Sequence, residues 1–473
     1  MSANNADRQA GTVGAGSTAD LALESLQQSA LHRIGFAIIL MFLFIAYSRV
    51  FDVKFSSLHI PGLMLYLSVF TILITGAFGI AFKERLTKLM FGLTVCIILS
   101  IPFSVWRLGS LRILTGGWMN QIFLFIGLAS MLATVRDCRK AISAIAWGVL
   151  VICLLALKIG ETDNGRLFMS QGKFSNPNDL AQAILFGLPG WWLIIKRSRS
   201  PVMRLVAFAS VVALMVTFTK TASRGGFTGL VVLILVYFWR SSSSGKVKIA
   251  FVMTLTMVAA LLLVPKSIKA RLTTLSSEDL QVEWTDPEYT AGLRSAVAST
   301  QSRKVMLWRS LILTARHPFF GVGAGMFPTA ENDYARSLGE RKGSWLGTHN
   351  SYTQISSEIG IPGLILYLTI LITCLKESRR VYKVTAGNLQ FAEIGDMAIC
   401  LNYMVLSFMI TALFSSVAFM NFVPILAGLT ASFLRAIRAK VPERPLPLTF
   451  GYPPARAERR ISHLAPVIAA PPA

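Results

Sequence analysis

Residues 348–375 read THNSYTQISSEIGIPGLILYLTILITCL. From Tyr352 to Leu375 the only charged residue is Glu358, and from Ile361 onward there is none. About 20 apolar residues in a helix cross the hydrocarbon core of a bilayer. The stretch therefore predicts a spanning helix, entered through the polar segment Thr348-His-Asn-Ser351. Working outward, comparable runs occur at about 34–51, 59–82, 88–106, 114–134, 140–158, 179–195, 203–219, 225–240, 248–265, 396–417 and 419–436. Together they predict an all-α polytopic membrane protein with about twelve transmembrane helices.

The composition agrees. Of 473 residues, 53% are hydrophobic and 15% charged, with a mean hydropathy of +0.58. Soluble domains carry about 25% charged residues, so one large soluble globule is excluded. Five cysteines in this length exclude a disulfide scaffold. The net charge of +23 is not accompanied by a nucleic-acid motif, so no nucleic-acid partner is expected. Cytoplasmic loops of membrane proteins collect Lys and Arg, and anionic lipid attracts them.

That bias sets an orientation. With the N-terminus in the cytoplasm, seventeen basic residues fall in short inner loops and eight in short outer ones. The expected organisation is a flexible cytoplasmic tail at 1–31 and transmembrane helices one to nine at 32–265. A large periplasmic loop follows at 266–351, then transmembrane helices ten to twelve at 352–437 and a flexible Pro/Arg-rich cytoplasmic tail at 438–473. Within the loop, Val305, Trp308, Leu311, Ile312 and Ala315 recur at helical spacing. They predict an amphipathic helix stopped by Pro318, with Arg303, Arg309 and Arg316 on its opposite side.

The outer basic residues, among them Arg107, Lys220 and Arg224, sit where topology alone does not place them. In Lys220-Thr-Ala-Ser-Arg224-Gly-Gly, Arg224 is either a snorkelling interfacial cation or half of a phosphate site. The stretch HPFFGVGAGMF at 317–327 has three alternate glycines, Gly321, Gly323 and Gly325. They form either a structural turn or a nest of N–H groups for an anion. His349 stands at the predicted outer surface. A neutral imidazole there suits a general base for a hydroxyl nucleophile; an interfacial polar residue without chemistry is the plain alternative. Asn176-Pro-Asn178-Asp179 reads first as a helix cap. Glu161 and Asp163 have the spacing of a metal-holding pair, but two carboxylates in a polar loop are common, and no metal or cofactor is expected.

HPFFGVGAGMF, followed after an insert by THNSYTQISSEIGIPGLILYL, resembles the O-antigen ligase and polymerase superfamily. Arg303 and Trp308 upstream, and TASRGG and NPNDLA earlier, add to the likeness. The resemblance implies a GT-C-related glycosyltransferase of the bacterial inner membrane, with its active site facing the periplasm. Its donor would be a glycan on undecaprenyl pyrophosphate. Its acceptor would be the lipid A core for a ligase, another lipid-linked repeat for a polymerase, or Ser or Thr for a protein ligase. It implies a metal-independent, inverting reaction with His349 as base and Arg224 and Arg303 on the pyrophosphate. Arg107, Lys220, Lys304, Asn350 and Gly323 are further candidate contacts, Lys304 because it adjoins Arg303. The rival reading from span number is a secondary transporter. The charged residues that look functional lie at the outer boundary rather than at mid-membrane, where a transporter binds its substrate.

Overall fold

The computed structural model describes residues 30–51, 60–76, 78–163, 165–169, 176–240 and 287–440. The expected ninth span at 248–265, the first part of the large loop at 266–286 and most of the two tails lie outside the described residues.

The described chain is mostly helical. It runs α1 (Ala30–Ser48), α2 (Ile60–Ile74), α3 (Phe78–Phe82), α4 (Arg85–Ser100) and α5 (Arg107–Arg112). A π-helix (Ile113–Trp118), α6 (Met119–Met131) and α7 (Val135–Ile159) follow. After a short antiparallel hairpin of β1 (Glu161–Asp163) and β2 (Arg166–Phe168) come α8 (Pro177–Arg197), α9 (Pro201–Thr221) and α10 (Arg224–Arg240). The last helices are α11 (Pro287–Arg316), α12 (Phe327–Ser337), α13 (Ser351–Thr385), α14 (Ala392–Thr411) and α15 (Phe422–Lys440). Among the described residues, six helices are long and apolar enough to cross a membrane: Ala30–Ser48, Arg107–Met131, Val135–Ile159, Pro201–Thr221, Ser351–Thr385 and Leu389–Thr411. Gly62–Ile74 and Arg224–Trp239 are shorter apolar helices. The protein is a multi-pass membrane protein.

Local chemistry sets the helix starts. Thr134 and Asp137 form a reciprocal capping box at the head of α7. Asn176 and Ser200 cap α8 and α9, each followed by Pro at the first helical position, where the missing N–H costs nothing. In the centre, Tyr47 of α1, Phe186 of α8, Phe408 of α14 and Phe422 of α15 interlock. Phe422 lies 5.1 Å from Phe186 and 5.4 Å from Phe408, ring centre to ring centre. Such aromatic pairs add about 0.5–1.5 kcal/mol each beyond burial.

Three expectations from the sequence need correction. The run at 59–82 is two helices, because Gly76 takes a left-handed φ of 62° between them. The run from 352 is broken at Gly360 (φ 82°), so α13 is two helical pieces that meet at a kink. Non-helical backbone at that depth is tolerated when protein supplies its partners, and here Ile361 N–H donates to Pro318 O at 2.7 Å. The helix of the large loop, α11, is 30 residues long and buries a different face from the one expected. Met306, Arg309, Ser310 and Leu313 are buried, whereas Trp308, Leu311 and Ala315 are exposed. The physical reason is a charge pair: Arg309 turns inward because the fully buried Glu331 of α12 receives it.

Candidate active site

His349 occupies the turn before α13. Its φ is +54°, a left-handed value that is strained for a residue with a Cβ. Neighbours hold it there. The His349 backbone N–H donates to Ser416 Oγ at 2.7 Å, and Ser416 Oγ lies 3.2 Å from Thr348 Oγ1. Thr348 Oγ1 itself donates to Asn350 O at 2.8 Å. On the other side, Ser351 N–H donates to Ala412 O and Ser351 Oγ to Ser415 O, at 2.8 and 2.6 Å. The loop after α14 thus clamps the backbone on both sides of the histidine. The imidazole is half-buried and has no hydrogen-bond partner among the described residues. Burial, and after it the charge of Arg303, lowers its pKa to about 4. At neutral pH the ring is uncharged and able to take a proton.

Arg303 comes from α11 and Arg224 from the first position of α10. Arg224 Nη2 donates to Thr300 Oγ1 at 2.7 Å. Thr300 lies one turn before Arg303 on the same helix, so this bond draws the two guanidinium groups together. Burial, and then the like charge of Arg224, brings Arg303 down to about 10. It remains a cation at neutral pH. Arg303 has no carboxylate and no hydrogen-bond partner among the described residues.

The corner that presents Arg224 is built from two distant stretches. α9 ends in Ala222 with a left-handed φ of 47°. Ser223 Oγ donates to Asn178 Oδ1 at 2.8 Å and accepts Gly226 N–H at 3.1 Å. Arg166 of the hairpin donates to the same Asn178 Oδ1 at 3.0 Å and to Thr221 O at 3.2 Å. NPNDLA and TASRGG are therefore two halves of one clasp. Sequence reasoning marked both stretches but missed Arg166, Ser223 and Thr300 as positioning groups, because nothing local shows that the stretches meet.

The glycine turn is also explained from within the chain. Gly321, Gly323 and Gly325 all have positive φ. Gly323 N–H donates to Glu358 O at 2.9 Å, and Gly325 N–H to Glu358 Oε2 at 2.7 Å. The group seated on this nest is the Glu358 carboxyl. A Cβ at Gly323 would overlap Ser104, and one at Gly360 would overlap Phe319 O. Of the other candidates, Asn350 caps α13 through Oδ1, which accepts Tyr352 N–H at 2.9 Å and Thr353 N–H at 3.2 Å. Lys304 is exposed on the side of α11 away from Met306 and Ser310. Lys220 is exposed at the end of α9, and the exposed Arg107 donates to Pro102 O at 3.1 Å. The structure thus brings His349, Arg303 and Arg224 into one electrostatic cluster, without Lys304, Lys220 or Arg107 in the contacts that define it. Glu161 and Asp163 lie on β1. Among the described residues no group of three or more His, Cys, Asp or Glu could hold a metal ion.

No curated protein matches the chain. A family model does, over residues 205–368, and its description is O-antigen ligase. The matched segment contains Arg224, Arg303, the glycine turn and His349. The family is one of glycosyl-transfer enzymes that work on lipid-linked glycans in a membrane. Through residues 205–368 the chain is similar to the O-antigen ligase family.

Proposed function

We propose that the protein is an O-antigen ligase-like glycosyltransferase of the bacterial inner membrane, GT-C-related and working at the periplasmic face. It moves a glycan from undecaprenyl pyrophosphate to a hydroxyl of the lipid A core, without a metal and with inversion. The observation that supports this most is Arg303. A half-buried guanidinium with no carboxylate partner among the described residues, beside a second guanidinium and a neutral imidazole, is suited to an anionic ligand next to a base.

The chemistry follows from the groups. The acceptor oxygen bonds to the anomeric carbon while its proton passes to His349. The bond from that carbon to the pyrophosphate breaks, and its electron pair leaves with the pyrophosphate. Charge grows on the leaving group as this happens. Two fixed guanidinium groups stabilise it with little reorganisation, which is the most effective kind of electrostatic catalysis. Holding donor and acceptor in one place supplies the rest. In this reading both termini lie in the cytoplasm and residues 266–351 in the periplasm.

The test is purified protein in proteoliposomes with an undecaprenyl-pyrophosphate glycan. Lipid A core, a second lipid-linked glycan and a Ser/Thr peptide are offered in turn. Transfer to lipid A core, unaffected by EDTA, is expected. Transfer only to the second lipid-linked glycan would make the protein a polymerase of the same superfamily. Transfer to none of the three, with the donor intact and the protein folded, would overturn the proposal.

A further inference from the structure

The six-residue π-helix Ile113–Trp118, sequence ILTGGW, has no role in the site described so far. It lies within Arg107–Met131, a helix long and apolar enough to span a membrane. π-Helical turns are rare and recur at functional sites. Gly116 and Gly117 stand in it, and a Cβ built on either meets no atom within 4 Å. Arg112, Thr115 and Gly116 are exposed and Asn120 is half-buried, so one strip of the helix is polar and open. Thr115 Oγ1 donates to Leu111 O at 2.9 Å and Asn120 Nδ2 to Gly116 O at 3.0 Å. These bonds keep the widened backbone satisfied with the strip uncovered. Arg112 lies 6.0 Å from the Trp106 ring and has no carboxylate partner among the described residues. Beside the strip, Leu108 and Leu111 are exposed apolar residues.

The place of the π-helix matters as much as its character. At one end Ile113 packs on the glycine turn, 2.6 Å from where a Cβ of Gly325 would be. At the other end Trp118 meets Phe419 edge-on at 6.2 Å. Phe419 is three residues beyond Ser416, which holds the His349 N–H. The π-helix therefore runs between the glycine turn and the loop that clamps His349. Arg224 and Arg303, which suit the donor pyrophosphate, come from α10 and α11.

A polar, cationic strip facing plain hydrocarbon is costly. A group transfer also needs a second seat, for the acceptor. We propose that the π-helix is that seat: the anionic headgroup of a lipid-borne acceptor lies along Arg112, Thr115, Gly116 and Asn120. An amphiphile fits the surface, with its anion at Arg112, its sugar hydroxyls along the open backbone of Gly116 and its apolar part against Leu108 and Leu111. The inference rests on the ligase reading for its use, but not for its binding test.

Two measurements separate the readings. The first is binding of lipid A core, phosphorylated or dephosphorylated, to the full-length protein in phosphatidylcholine nanodiscs without donor. The second is transfer kinetics with donor and acceptor varied separately. Gly116→Val places a side chain in open space, so an unchanged melting temperature is expected. Acceptor binding should weaken about tenfold, with donor KM unchanged. Gly116→Ala favours the helix more and should give a smaller loss in the same direction. Arg112→Gln should weaken binding of phosphorylated acceptor about tenfold, the scale of one charge-assisted hydrogen bond. Arg112→Lys should recover most of it, and the dephosphorylated acceptor should not sense the change. Acceptor binding within twofold of wild type in both Gly116→Val and Arg112→Gln would overturn the seat, as would a loss confined to donor KM. Absence of transfer by the wild type, with acceptor binding that still depends on Gly116 and Arg112, would instead overturn the ligase reading.

Discussion

Arg303 and Arg309 stand on the same helix, six positions and about 9 Å of rise apart, and their surroundings are opposite. Arg309 is buried between two carboxylates: it pairs with Glu331, and its Nη2 lies 2.5 Å from Glu340 Oε1. Burial alone would lower its pKa, but bonds to Glu340 and Glu331 raise it. Glu331 also accepts Ser344 N–H at 2.9 Å and Trp345 N–H at 3.4 Å, which ties α11 to the segment leading into His349. Arg303 has no carboxylate partner among the described residues, is pressed by a second cation and has a lowered pKa. The contrast separates two uses of one residue type. A cation whose counter-charges are built into the fold is scaffold. A cation that the fold leaves without one is poised for a charge that arrives from outside.

The comparison is broken most severely at the base. His349→Ala should lower turnover about 10²–10⁴-fold while donor binding stays near wild type. Normal transfer by a stably expressed His349→Ala protein would remove the reason for reading Arg303 as part of a reaction site. Next in size is the scaffold arginine. Arg309→Ala leaves Glu331 buried and unpaired, at a cost of about 3–5 kcal/mol in stability. Thermal unfolding in detergent should show a clear loss. An Arg309→Ala protein that unfolds like wild type would end the distinction drawn between the two arginines.

Arg303→Ala should do the reverse. Its melting temperature should hold or rise, because a buried like-charge repulsion is removed. Donor affinity should fall about 30- to 150-fold, roughly 2–3 kcal/mol for a charge-assisted pair. Arg303→Lys keeps the charge without the planar fork and should fall between. Isothermal titration with the lipid-linked donor checks the series, and an unchanged affinity in Arg303→Ala would refute the role.

The smallest effect sharpens the comparison through pH. His349 acts as a base only when neutral, and its pKa in the free protein is about 4. Transfer should therefore fall as pH drops through that value, and the acid limb of kcat/KM should lie there. Bound pyrophosphate offsets Arg303, so the acid limb of kcat should lie at higher pH, by roughly one unit. In Arg303→Gln the kcat/KM limb should also move up. It should stay below 6.5, because burial is the larger cause of the lowered value. Coincident limbs in wild type and variant would show that Arg303 does not reach His349.

Much of the site was legible as residue types. Arg224, Arg303 and His349 are a cation at a membrane boundary, a cation in an amphipathic helix and a histidine at the mouth of a span. Arg224 and His349 each had a plain alternative when read alone, and the role of Arg303 came from the family resemblance. Lys304 was the alternative to Arg303 in the sequence, and the rotation of α11 puts it on the exposed side. Gly323 and Glu358 were both visible, but their pairing across 35 residues was not. Arg166, Ser223 and Ser416 carried no local signal, since their importance lies only in what they touch.

By itself the sequence determined what the solvent selects. Long uncharged runs require helices in a bilayer, because no other open backbone satisfies its own polar groups there. Caps such as Asn176, and stops such as Pro318, are local and were readable for the same reason. The tertiary structure alone decided what depends on partners far along the chain. The break at Gly360 exists because Pro318 O waits for the Ile361 N–H. The inward turn of Arg309 exists because Glu331 is buried opposite it. Among the described residues Arg303 stands without a carboxylate because the fold brings Arg224 beside it, and no acid. Hydrophobic transfer acts on each residue where it stands, whereas charge pairing acts on two, and only the fold chooses the second.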